Sequence, residues 1–281
     1  MKFINILFTT SLVANSLVAE AKDIFRVCAD PLNPPYSTKE LTGYENKIAA
    51  LFAEQLGQKL EYNWFPERIG FIRNTLKAEN ENGQGFKCDV VMGVPLGSEL
   101  TDTTKAYLHS SYVLIIAKGR GWDDIKQAEQ LPNQDLKRLT KLKIAMFDRG
   151  PGTEWLQQYG LLEQGVPYQS MTGDSEHNVA MHIADELHKG VIDMAILWSP
   201  MAAYVKAQNT KDNYEIIPMK LTQSIKFDYP IAIGIRQGDN KRKQLINDLI
   251  DKNRDKIADI ITSYHILQLP ITNPIPKEDK D

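Results

Sequence analysis

The 281-residue sequence has few cysteines and no excess of positive charge. Its formal net charge is −3, which argues against nucleic acid as a partner, because polyanion binders usually present a basic face. The five histidines form no i,i+4 pair, and no group of Cys or His has the spacing of zinc ligands, so we expect no metal site. The sequence also contains neither a G-x-S-x-G motif nor an EF-hand loop.

A long apolar run occurs only at the N-terminus. The segment MKFINILFTTSLVANSLVAEA starts with the positive Lys2, continues with an apolar stretch over residues 3–18 and ends in an A-x-A pattern at Ala21. This pattern predicts a secretory signal peptide, residues 1–21, that is cleaved near Ala21 on export to the periplasm. The alternative is a membrane anchor, but polar residues interrupt the run and it falls short of the ~20 apolar residues that a span needs. After cleavage we expect no membrane span.

The two cysteines both lie in apolar, strand-like runs. Cys28 is in IFRVCAD, and Cys88 is in FKCDVVMGV. Two neighbouring strands could bring these residues within the ~5.5 Å Cα separation of a disulfide. Export into an oxidising compartment favours a Cys28–Cys88 bond over the alternative of two unconnected buried thiols.

Strand-like and helix-like runs alternate along the first part of the chain. IFRVCA, KLEYNWF and CDVVMGV are typical of strands. YENKIAALFAEQLG places apolar residues such as Ile48 and Phe52 on one helical face, and Gly57 is suited to end that helix. A second helix is predicted over PERIGFIRNTLKAEN. This order predicts a parallel, right-handed sheet with helices on both faces.

A polar stretch then interrupts the alternation of strands and helices, which resumes after it. Residues 119–141 are polar and predicted to carry little buried character, and a second α/β unit follows. A helical stretch from Asn240 to about His265 closes the fold, and the proline-rich tail, residues 270–281, is predicted to be loose. We therefore predict an α/β protein with two lobes, each a doubly wound, mostly parallel sheet flanked by helices. Lobe 1 comprises residues 22–114 and 228–269, and lobe 2 comprises residues 115–227. Two crossings make a hinge beside a ligand cleft.

Six segments in order resemble one family. CADPLNPPYS, GYENKIA, WFPERIGFIRNTL, CDVVMGVP, SSYV and LWSPMAAY are similar to the MxaJ/XoxJ family, which has the fold of type II periplasmic solute-binding proteins. The resemblance runs from about Asp23 to Pro270 and implies a binding-protein-like component that accompanies quinoprotein methanol dehydrogenases. It also implies that pyrroloquinoline quinone (PQQ) and a metal ion belong to the partner dehydrogenase, and that this chain itself binds no cofactor.

The charged groups that hold an amino acid in related carriers are missing. An arginine for the α-carboxylate is expected in residues 93–107. That stretch reads GVPLGSELTDTTKAY, with Lys105 as its only cation. A carboxylate for the α-ammonium is expected after AILW, where SPMAAY stands instead. Unpaired charges in a closed cleft cost on the order of several kcal/mol each, so we expect a larger, less polar occupant or a protein segment in the cleft.

Candidate cleft or docking residues lie at predicted strand ends and in loops. They are Asp30, Pro35, Tyr36, Trp64, Arg68, Arg73, Thr103, Thr104, Tyr107, Asp148, Thr153, Glu154 and Trp198. The arginines could reach a partner's carboxylates, or form a surface ion pair on a solvated helix face. The aromatic residues could form a docking surface or be buried under the cleft. Asp30 and its neighbours could line the cleft or serve a turn, and the glycine-containing loop after Asp148 could form an anion nest.

Two functions are compatible with these patterns. The first is a non-enzymatic periplasmic accessory protein that docks on the PQQ-dependent methanol dehydrogenase subunits for maturation or assembly, with the cytochrome c of that system as a further candidate partner. The alternative is the solute-binding protein of a transporter that carries a small ligand other than an amino acid. Catalysis is disfavoured because the cleft acids Asp30, Glu67, Asp148 and Glu154 form no recognisable motif.

Overall fold

The computed structural model describes residues 23–174, 176–209, 211, 213–222 and 224–271. The predicted signal peptide and residues 272–281 of the predicted loose tail lie outside the described residues. In the part of the chain that is described, no helix combines the length and the apolar character needed to cross a membrane.

The first part of the chain builds seven strands and two helices among the described residues. The strands are β1 (Ile24–Ala29), β2 (Leu32–Asn33), β3 (Ser37–Thr38), β4 (Lys59–Trp64), β5 (Val90–Pro95), β6 (Asp102–Thr103) and β7 (Leu108–Ala117), and the helices are α1 (Tyr44–Leu56) and α2 (Phe71–Asn74).

The second part continues the alternation. Its strands are β8 (Ile144–Phe147), β9 (Gly165–Tyr168), β10 (Met194–Trp198), β11 (Tyr214–Pro218) and β12 (Asp228–Ile235). Its helices are α3 (Leu136–Leu139), α4 (Pro151–Gln158), α5 (Val179–Lys189), α6 (Ser199–Gln208), α7 (Asn240–Lys252) and α8 (Arg254–Ser263), with short 3-10 segments at Ala128–Asn133 and Leu162–Gln164.

Each lobe has a parallel core of three strands. These are β4-β1-β5 in lobe 1 and β10-β8-β9 in lobe 2. β12 joins β5 in antiparallel register, and β7 joins β10 and β11 in the same way. The predicted two-lobed α/β fold is confirmed, with sheets that mix parallel and antiparallel pairs.

The strand β7 connects the two lobes. Its residues 108–111 pair with β12, and its residues 112–117 pair with β10 and β11. The run from Val113 to Ala117 is buried throughout, as expected for a strand covered on both faces. Val113 and Ile115 pack into one core cluster of lobe 2, while Leu114 and Ile116 pack into the other. The predicted residue limits of the lobes stay a prediction.

Helix α1 packs against the sheet of lobe 1. Ile48 and Phe52 are fully buried on the predicted face, among residues of β1, β5, β12, α7 and α8. The helix ends where Gly57 adopts a left-handed conformation with φ of 66°, as the sequence predicts.

The predicted disulfide is confirmed. Cys28 on β1 is bonded to Cys88, which lies two residues before β5, and their Cα atoms are 5.5 Å apart. Both residues are buried beside Leu76 and Val91, under the short helix α2. The disulfide therefore holds together the part of the core on which α2 packs.

The predicted helix over residues 66–80 is wrong in length, because only Phe71–Asn74 is helical. Gly70 adopts φ of 88°, which interrupts a helix before Phe71. On the other side, the Thr75 hydroxyl donates to the Phe71 carbonyl oxygen, a local bond that competes with helix continuation.

Two further expectations need correction. Residues 119–141 do contribute to the core, since Trp122, Ile125 and Leu131 are at most 5% exposed. Their apolar side chains come from turns and a 3-10 segment, so they show no helical or strand period. The closing helix is in fact two helices, because Asn253 ends α7 and its side-chain amide donates to the Leu249 carbonyl oxygen at 2.8 Å.

Candidate functional site

Two connected cavities lie at the carboxyl ends of the parallel strands. The outer cavity, of about 680 Å³, lies in lobe 1 between α2 and β5. The inner cavity, of about 390 Å³, lies between the lobes. Both are lined by Asn33, Glu45, Glu67, Met92 and Met171, so they form one continuous cleft.

Two carboxyl groups form the shared wall of this cleft. Glu45 is in the first turn of α1, is 7% exposed, and accepts a hydrogen bond from the Tyr107 hydroxyl at 2.9 Å. Burial raises the pKa of Glu45 to about 7, against the lowering effect of the Tyr107 bond. Glu67 follows β4 and accepts from the Asn33 side-chain amide at 2.9 Å. Its pKa is also raised to about 7, first by burial and then by the nearby charge of Asp30.

Asp30 lines the cleft and also holds the loops that shape it. Its carboxylate accepts from the backbone N–H of Leu32 at 2.7 Å and from the backbone N–H of Glu67. The turn role and the cleft-lining role, which the sequence leaves as alternatives, therefore both apply to this residue.

The structure brings together five of the thirteen candidate residues. Asp30, Tyr36, Arg68, Arg73 and Trp198 line the outer or the inner cavity. The other eight are not among the residues that line these cavities. They are Pro35, Trp64, Thr103, Thr104, Tyr107, Asp148, Thr153 and Glu154.

The hydroxyl-rich loop before β7 is bonded into the lobe 1 scaffold. The Thr103 hydroxyl accepts from the Gly97 N–H at 3.1 Å, and the Thr104 hydroxyl accepts from the Ile233 N–H at 3.0 Å. The ammonium group of Lys105 forms an ion pair with Asp251 on α7. The one cation of this loop is therefore engaged outside the cavity linings, and Tyr107 at the end of the loop donates to Glu45, which lines the cleft.

The remaining candidates lie beside the cleft. The Thr153 hydroxyl donates to the Phe147 carbonyl oxygen within its own turn, while Asp148 and Glu154 are exposed. Trp64 stacks on Tyr62 with ring centroids 4.4 Å apart, on the edge strand β4. Pro35 is buried, and its carbonyl oxygen accepts from the Tyr44 N–H at the start of α1.

The sequence analysis named Glu67 as a cleft acid but missed three other ionic groups of the cleft. Glu45 lines both cavities, Lys77 lines the outer cavity, and Arg149 reaches the inner cavity from the loop after β8. The stretch expected to supply a cation lines the cleft with none, but charged side chains reach the cleft from other parts of the chain. For Glu45 and Arg149 the signal in the sequence was position, since Glu45 opens a helix and Arg149 follows a strand.

The described residues include no group of three or more His, Cys, Asp or Glu side chains that could hold a metal ion.

The two lobes also contact each other at the edge of the cleft. The Asn178 side-chain amide donates to the Asn33 side chain at 3.1 Å, and Gly173 packs against the stem of Arg68.

Two lobes joined by a crossing strand, with a cleft at the strand ends, define a type II periplasmic binding protein. No family model matches the chain. The crystal structure of the periplasmic binding protein XoxJ from Methylobacterium extorquens AM1 is 28% identical, with a TM-score of 0.69 over 88% of this chain and 99% of that chain. Protein MoxJ from Methylorubrum extorquens is 26% identical over 281 residues, which cover 92% of this chain and 88% of that protein.

The crystal structure of MxaJ from Methlophaga aminisulfidivorans shares the fold, with a TM-score of 0.71, 23% identity and coverage of 87% of this chain and all of that chain (100%). Together these similarities support the MxaJ/XoxJ family for this chain, in agreement with the resemblance of the six segments. Its periplasmic-binding-protein relatives imply a periplasmic location, in agreement with the prediction of export.

Proposed function

We propose that this protein is a periplasmic accessory protein that docks on subunits of a PQQ-dependent methanol dehydrogenase through the mouth of the outer cavity. Similarity to MoxJ and XoxJ over most of the chain supports a link to methanol oxidation. In this proposal the protein acts during maturation or assembly of the dehydrogenase, without catalysis of its own. PQQ and its metal ion then belong to the dehydrogenase.

An exposed apolar patch at the cavity mouth carries this proposal. Ile69, Leu100 and Met171 are 90%, 60% and 51% exposed, and all three line the outer cavity. Single exposed apolar residues are common, but a set that converges on a cavity is typical of an interaction site. A partner segment that inserts an apolar side chain would remove this patch from water. This burial would contribute a favourable binding free energy of about 25 cal/mol per Å² of apolar surface.

Charge at the same mouth defines the partner further. Arg68 and Arg73 line the outer cavity and are exposed, and neither forms an ion pair with another described residue. The Arg68 guanidinium lies 4.8 Å from the centroid of the Phe65 ring, which holds it at the rim. A basic rim around an apolar centre favours a partner segment with an apolar anchor flanked by acidic residues.

Calorimetric titration with the purified dehydrogenase tests the proposal. The double variant Ile69→Ser, Leu100→Ser is expected to weaken binding at least about tenfold, because it removes the apolar anchor site. Leu136→Ser is the matched control, since Leu136 is 78% exposed on α3 and does not line the cleft. Equal affinities of the double variant and the unchanged protein would overturn the proposal.

The contact of the lobes at the rim favours a second candidate function, the carriage of a small ligand. The Asn178–Asn33 hydrogen bond joins the lobes across the cleft, as in a closed binding protein. A carried ligand at 100 times its Kd would raise the free energy of unfolding by about 2.7 kcal/mol. Thermal unfolding in the presence of transported solutes measures this effect, and a shift without any binding of the dehydrogenase would support the carrier.

A further inference from the structure

Three aromatic rings form a corner in the inner cavity, away from the proposed docking patch. Tyr112, Trp198 and Tyr229 all line this cavity. The ring centroids are 5.4 Å apart for Tyr112–Trp198, 6.1 Å for Trp198–Tyr229 and 6.5 Å for Tyr112–Tyr229. The rings are inclined to each other by 59° to 74°, so they face in different directions around the corner. They come from β12, β7 and β10, which are neighbours in the sheet, so adjacent strands hold them in place.

The carboxyl groups of Glu45 and Glu67 line the same cavity. Each has a neutral hydrogen-bond donor, the Tyr107 hydroxyl for Glu45 and the Asn33 amide for Glu67. Among the described residues, neither forms an ion pair. A buried carboxylate without a cation is costly, and the cost is relieved when a cation occupies the adjacent space.

We propose that the inner cavity binds an organic ammonium cation, with the aromatic corner around its alkyl groups and the two carboxylates balancing its charge. Aromatic ring faces attract alkylated ammonium groups, and cages of aromatic residues are a recurrent way to bind them. The cavity volume of about 390 Å³ is within the range of small-ligand sites. A metal ion is a poor fit, because the described residues offer no group of ligands arranged for one.

Two cations of the protein itself lie near this site. The Lys226 ammonium lies 5.2 Å from the centroid of the Tyr229 ring, so this ring already attracts a cation on one face. Arg149 lines the cavity from an exposed loop of lobe 2 and repels a cationic ligand from that side. Removing the Arg149 charge is therefore expected to strengthen ammonium binding.

Calorimetric titration of the mature protein with choline and with its neutral isostere 3,3-dimethylbutan-1-ol tests the site. Choline is expected to bind at least about tenfold more tightly, since only it carries the charge. Glu67→Gln is expected to weaken choline binding about tenfold. Tyr112→Leu is expected to weaken it severalfold, whereas the matched control Tyr112→Phe keeps the ring and the affinity. Arg149→Gln is expected to tighten it.

A parallel titration with Nα-acetyl-lysine amide identifies the source of the ammonium group. Tighter binding of the lysine derivative would point to a partner's lysine, and tighter binding of choline to a free alkylammonium compound. Equal affinity for choline and its neutral isostere, or no binding of either ammonium compound at millimolar concentration, would overturn the proposal. The docking proposal is independent of this result, because it is tested at Ile69 and Leu100.

Discussion

The substitution Glu45→Gln is expected to stabilise the protein at alkaline pH. Glu45 is 7% exposed, and burial raises its pKa from 4.5 to about 7. Glutamine keeps the side-chain oxygen that accepts from the Tyr107 hydroxyl, and it removes the charge. The variant therefore isolates the cost of ionising this carboxyl group inside the cleft.

The magnitude follows from the difference in proton affinity. The folded protein holds the Glu45 proton more tightly than the unfolded chain, so ionisation opposes folding. Stability is expected to fall as pH rises from about 4.5, where the unfolded chain loses this proton, to about 7, where the folded protein loses it. At about 1.4 kcal/mol for each unit of the shift from 4.5 to about 7, the full cost above pH 7 is at most about 3.5 kcal/mol. Glu67 acts in the same direction.

Urea unfolding of the mature protein at about pH 5 and pH 8 measures this cost. Glu45→Gln is expected to gain less than about 1 kcal/mol at the lower pH and up to about 3.5 kcal/mol at the higher pH. Glu54→Gln is the matched control, because Glu54 is exposed on the same helix. If the gain of Glu45→Gln is the same at both pH values, the account of a buried, ionisable Glu45 is refuted.

Two further predictions concern the scaffold. The double variant Cys28→Ser, Cys88→Ser is expected to lose about 4 kcal/mol of unfolding free energy in urea, as a bond that closes a loop of 60 residues implies, and a loss below about 1 kcal/mol would contradict this. Lys105→Met is expected to change stability by less than about 1 kcal/mol and to leave binding of the dehydrogenase unchanged, because Lys105 forms a partly exposed ion pair with Asp251. Weaker binding of the dehydrogenase by Lys105→Met in the calorimetric titration would contradict this and indicate that Lys105 takes part in docking.

The sequence predicts those parts of the fold that rest on periodicity and local chain chemistry. The face of α1 with Ile48 and Phe52, the end of α1 at Gly57 and the pairing of Cys28 with Cys88 all follow from such local patterns. The structure differs where a single residue overrides the pattern. Gly70 shortens the predicted second helix, and Asn253 divides the last one.

The cleft is less predictable because its residues are distant in the chain. The aromatic corner joins Tyr112, Trp198 and Tyr229, which come from three strands and share no motif. Glu45 and Glu67 reach the same cavity only after the sheet has formed, and Glu67 is held there by bonds to Asp30 and Asn33. Resemblance to a family indicates where a cleft lies, but not which side chains line it.

Photo-crosslinking in the periplasm tests the central claim of docking most directly. A photoreactive amino acid replaces Leu100 at the mouth of the outer cavity or, as a control, Leu136 on α3, both of which are exposed. The account predicts a covalent product with a methanol dehydrogenase subunit from position 100 and none from position 136. Absence of that product from position 100, or equal yields from the two positions, would contradict it.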